Sequence, residues 1–69
     1  MNMQLLEFNS TDKTVVLRDG FNGTEIQYFK DVPTVKIETG YYEVMQKTET
    51  GVIPVLRVPI SKTNMLIQK

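Results

Sequence analysis

The chain has no cysteine, so it can form neither a disulfide nor a thiolate metal site. It has no histidine, which removes the commonest zinc and iron ligand and the usual base beside a nucleophilic serine. It has no alanine, the strongest helix former. No charge sign is in excess, because 8 Lys and Arg balance 8 Asp and Glu. A neutral chain has no general electrostatic hold on phosphate, which counts against nucleic acid as a partner. Nor is there a long apolar run: nothing approaches the roughly 20 residues that span a bilayer. The first residues lack a basic segment and offer only Leu5-Leu6 as an apolar run, unlike a signal peptide. The expectation is a cytoplasmic protein, away from membranes. On that footing the glycosylation patterns at Asn9 and Asn22 are chance matches.

What remains is rich in branched side chains: 8 Val, 5 Ile and 8 Thr among 69 residues. Branching at Cβ favours strands over helices. A chain this short makes one domain, residues 1–69, with a marginal core. Small domains commonly add a disulfide, a metal or a second copy of themselves. The first two are disfavoured here, which leaves a well-packed core or self-association.

Turn-forming residues punctuate the chain in a strand-and-turn rhythm. Strands are predicted at Met3–Phe8, Thr14–Arg18, Thr24–Phe29, Val35–Thr39, Tyr41–Lys47, Val52–Ile60 and Met65–Gln68. Asn9 to Lys13 reads as a turn of short polar side chains that bond their own backbone. Asp19 to Gly23 holds two glycines and reads as a hairpin loop. Thr48 to Gly51 is the clearest hairpin, and Ser61 to Asn64 a further turn. Gly40 interrupts a strand pattern, which suggests a bulge or a sharp bend. Pro54 and Pro59 are five residues apart, so in one regular strand their missing donors would face opposite neighbours. Either a bulge falls between them, or only Val55 to Val58 pairs on both sides. They would also protect an apolar strand from edge pairing. The predicted architecture is all-β: a small antiparallel meander of roughly six to seven short strands, curled into a compact SH3-like or OB-like barrel or an open roll.

Catalytic parts are scarce. Ser10 and Ser61 both sit in turn-like clusters. The three Asp and five Glu fall on turns or solvated strand faces, and a barrel this small has no room for a deep cleft. Asp12, Asp19 and Asn22 lack the alternate spacing of a calcium loop. Gly20 to Gly23 matches a short GXXG string used to clamp nucleic-acid backbone, but that loop joins helices and carries basic residues. The reading is therefore no enzyme, no cofactor, no metal and no small-molecule substrate.

The apolar residues point elsewhere. Val15-Val-Leu17, Val52-Ile53, Val55-Leu56 and Met65-Leu-Ile67 are consecutive, and neighbouring strand residues face opposite ways. So do Tyr28-Phe29 and Tyr41-Tyr42. One member of each pair should face out, and since Ile26 and Tyr28 share a face, Phe29 is the predicted outsider. Either loops cover the second face, or a surplus patch meets a protein partner or a second copy of the chain. Candidate contact residues are Phe21, Tyr28, Phe29, Tyr41, Tyr42 and Arg57, aromatics and arginine being enriched at interface cores. The alternative is a single-stranded nucleic-acid binder that stacks bases on Tyr28, Tyr42 and Phe21 beside Lys30, Lys36, Lys47 and Arg57. A third route is β-augmentation at an open edge, either Met3–Phe8 or Met65–Gln68. The expectation is a small self-associating interaction module, a homodimer by preference, of the compact kind that phages and mobile elements carry.

Overall fold

The structure, a computed structural model, describes residues 3–69. Alternation builds the first hairpin. In β1 (Gln4–Asn9) and β2 (Thr14–Asp19), Leu6, Phe8, Val15 and Leu17 turn to one side and are buried. The turn between them is fixed as its composition predicts: Asn9 Oδ1 accepts the backbone N–H of Thr11 at 3.1 Å and of Asp12 at 2.9 Å. Asp19 does the same in the next loop, accepting from Phe21 N–H at 2.7 Å. The chain then enters β3 (Glu25–Phe29).

The second half is a hairpin pair: β4 (Thr34–Ile37), β5 (Tyr41–Thr48) and β6 (Gly51–Pro59). A short 3-10 turn, Ile60–Lys62, leads to β7 (Thr63–Gln68). Two sheets result, one of four strands in the order β3-β2-β1-β7 and one of three in the order β4-β5-β6. Leu6, Phe8, Val15 and Leu17 from the first meet Val44 and Val58 from the second in one core, flanked by half-buried Phe29, Val35, Tyr42, Val55, Leu56 and Met65.

Val32 joins this core from the β3–β4 link and is fully buried. Two backbone bonds hold the link between the sheets: Val32 N–H donates to Lys13 O at 2.8 Å, and Lys47 N–H donates to Asp31 O at 2.7 Å.

The all-β class is as the composition predicts, but the sheet does not close into a barrel. β3 and β4 are not paired, so the chain leaves one sheet for the other at Lys30 to Pro33. It is not a simple antiparallel meander either, since β7 crosses back and pairs with β1 in parallel. β1 is therefore an interior strand, not the open edge predicted for Met3–Phe8; β7 is an edge.

Gly40, at φ +87°, does not bulge a strand. It turns the chain between β4 and β5, in a conformation glycine tolerates best. The bulges lie elsewhere. Leu17 opposes Gln27 while Arg18 opposes Glu25, which leaves Ile26 as the extra residue of β3. Val44 opposes Leu56 while Met45 opposes Pro54, which makes Val55 the extra residue of β6.

That second bulge answers the proline question. Pro54 and Pro59 are an odd number of residues apart on β6, but their partners Met45 and Tyr41 are an even number apart on β5. Val55 thus restores both prolines to the same class of ladder position, so both missing donors fall on the open edge of β6, where no bond is lost.

Candidate protein interface

The register fixes which side chains share the outer face of the four-stranded sheet. Leu6 and Phe8 face the core, so Leu5 and Glu7 face out, and with them their ladder partners on both sides. One row across the face reads Tyr28, Val16, Glu7, Leu66; the next runs through Arg18, Leu5 and Asn64. Arg18 Nε donates to Glu7, and its Nη1 donates to Gly23 O at 3.1 Å. Glu7 and Arg18 thus satisfy one another; Glu25, opposite Arg18 at the start of β3, is a third charge at the rim of this face, and the row through Val16 and Leu66 is apolar on either side of Glu7. Leu5 and Val16 are half-buried, Tyr28 is 54 % exposed, and Leu66 is 44 % exposed. Ile26, on the bulge, is exposed beside them.

The edges of the two sheets differ in how they are guarded. β3 carries its bulge and Glu25. β4 is only 4 residues long and carries Lys36. β6 carries two prolines and a bulge. β7 has 6 residues, Thr-Asn-Met-Leu-Ile-Gln, with no proline, glycine, charge or bulge. These are the devices that keep an edge from pairing, and β7 has none of them. Ile67 lies on the core side of β7 but is 53 % exposed, so the smaller sheet does not cover this rim. The edge therefore offers apolar groups on both of its faces.

The six contact residues expected from sequence do not form one surface. Phe21 stands out at the tip of the β2–β3 loop, 64 % exposed. Tyr28 lies on the outer face just described. Phe29, the predicted outsider, is half-buried against the core, because it pairs with inward-facing Val15 while Tyr28 pairs with Val16. Tyr42 pairs with buried Val58 and packs on the core as well.

Tyr41 and Arg57 belong to the outer face of the smaller sheet. The Arg57 guanidinium lies 5.4 Å from the centre of the Tyr41 ring, and its Nε donates to Glu43 Oε2 at 2.5 Å. That hydrogen bond, and then the charge of the same carboxylate, raises the guanidinium above its ordinary value. Glu43 is buried in the row between Lys36 and Arg57, so Arg57 already has a partner within the chain. The aromatics and cations of the nucleic-acid alternative are likewise split: Tyr42 faces the core, Tyr28 one sheet surface, Lys36 and Arg57 the other.

Among the described residues no three Asp or Glu side chains gather in a way that could hold a metal ion. No helix among them is long and apolar enough to cross a membrane. Sequence reasoning named β7 as an edge but missed Leu5, Val16 and Leu66. The signal was present in the apolar runs, but only the register assigns each member to a face. No family model, curated protein or solved structure matches the chain, so its functional reading rests on this geometry.

Proposed function

We propose that this chain is a non-enzymatic protein-interaction module that associates with itself through the four-stranded sheet. The observation that carries the reading is the coincidence of an apolar outer face with an unguarded edge strand in the same sheet. Leu5, Val16, Tyr28 and Leu66 supply the face, and β7 supplies the edge. Exposed apolar groups gathered on one surface are a mark of association sites. The neutral net charge leaves no long-range repulsion between copies.

Light scattering on a sizing column tests this directly. Over a range from about 10 μM to about 1 mM the mass should rise from 7.9 kDa towards twice that value, as mass action requires. A constant single-chain mass across the range overturns the proposal. Labelled single-stranded DNA at low salt should show no shift; a salt-sensitive shift would favour the nucleic-acid reading instead.

A further inference from the structure

We infer that the partner surface is β7 itself, paired antiparallel with β7 of a second copy about a two-fold axis that passes beside Leu66. This rests on the self-association reading above and names its geometry. Ser10 N–H donates to Gln68 O at 2.8 Å, so Gln68 turns its backbone towards β1. Backbone direction alternates along a strand, so Asn64 and Leu66 also turn towards β1, while Met65 and Ile67 turn their N–H and C=O groups to the open side.

In an antiparallel pair, outward-turned residues must oppose outward-turned residues. Only registers that set odd-numbered residues against odd-numbered ones meet that condition. Two such registers centre on β7. Centring on Met65 sets Leu66 against Asn64, an apolar group against an amide. Centring on Leu66 sets Met65 against Ile67, Asn64 against Gln68, and Leu66 against its own copy. Read outward from Leu66, the strand is a chemical palindrome: Leu, then Met and Ile, then Asn and Gln. A two-fold axis sets residues equidistant from it against each other, and this pattern makes every such pair like with like; nothing in it is tailored to an unrelated strand, so the occupant is a second copy. The absence of any charge within β7 means that no like charges are set opposite each other along the paired strands. In this register the apolar row of one outer face, ending at Leu66, continues directly into the row of the other.

Since the chain has no cysteine, single cysteines report the register cleanly. Leu66 and its copy form a non-hydrogen-bonded pair, whose Cα atoms lie about 4.5 Å apart, within disulfide reach. Under mild oxidation Leu66→Cys should cross-link to itself. Asn64→Cys alone should not, because four residues of strand, about 13 Å, separate it from its copy. Asn64→Cys mixed with Gln68→Cys should cross-link. In the unmodified protein, exchange of the Met65 and Ile67 amides should slow as concentration rises, while that of Leu66 is slow throughout. Dimers by light scattering in which Asn64→Cys links to itself, or in which Leu66→Cys does not, overturn this geometry and leave self-association standing. A strict monomer overturns both.

Discussion

Two leucines, Leu6 and Leu66, test whether the faces are assigned correctly. Leu6 is fully buried and sits between Leu17 and Met65 in one row of the sheet. Leu66 is on the opposite face and 44 % exposed. Leu6→Ala removes buried methyl groups and leaves a cavity, at a cost of about 3 kcal/mol. Leu66→Ala leaves no cavity and forfeits roughly half of a leucine's transfer free energy, about 1 kcal/mol. Unfolding entropy scales with length, at about 2.1 cal/mol/K per residue, so the melting temperature should fall by about 20 °C for the first and about 7 °C for the second. A domain of this size has a total stability of only about 3–10 kcal/mol, so Leu6→Ala removes from about a third to all of it. Melting followed by circular dichroism at micromolar concentration, where the copies are apart, measures both. At high concentration the Leu66 variant should lag further behind, because the parent gains from association. Equal losses for the two variants, or a larger one at Leu66, would refute the face assignment.

Two further substitutions probe the same fold. Thr63 is buried, and its hydroxyl has no hydrogen-bond partner among the described residues; Thr63→Val should stabilise by about 1 kcal/mol, read as a rise of several degrees in the melting temperature, and a fall would mean that the hydroxyl is bonded. Pro54→Thr with Pro59→Thr restores two donors on the β6 edge; this variant should form species larger than a dimer at concentrations where the parent does not, and unchanged sizing would show that the prolines do not guard that edge.

Local chemistry was legible in the sequence, and long-range pairing was not. Asn9 and Asp19 marked their turns because a short acceptor beside its own backbone N–H groups acts within a few residues. The run Val15-Val-Leu17 showed that apolar groups go to both faces of the first hairpin, but not that Val15 and Leu17, with Leu6 and Phe8, are the members that turn to the core. The odd spacing of Pro54 and Pro59 demanded either a bulge or limited pairing; Val55 is that bulge. Nothing local, however, says that β7 returns beside β1, more than fifty residues away, or that it runs parallel to it. Phe29 was misassigned for a related reason. A five-residue edge strand with a bulge at Ile26 has no reliable alternation of its own, and its face is dictated by Val15 and Val16 across the ladder. Val32 carried a weak signal, a lone apolar residue among polar ones before Pro33, of the kind that anchors a link between layers.

The composition and the interface share one cause. A chain of 69 residues buries only about 60 % of the surface it exposes when unfolded, and this one has no cysteine or histidine with which to add a covalent or metal tie. Its apolar residues come in consecutive runs, and a strand sends each run to both faces. Met65, Leu66 and Ile67 illustrate the consequence: Met65 packs on the core, Leu66 faces solvent on the far side, and Ile67 overhangs a smaller sheet that does not reach it. A β7–β7 junction would cover the latter two at once and satisfy the open backbone between them. The same junction would then raise stability and create the assembly, so variants at Leu66 should lose concentration-dependent stability and oligomeric mass in parallel. Separation of those two losses would show that the strand's apolar surplus serves the fold of one chain and not its association.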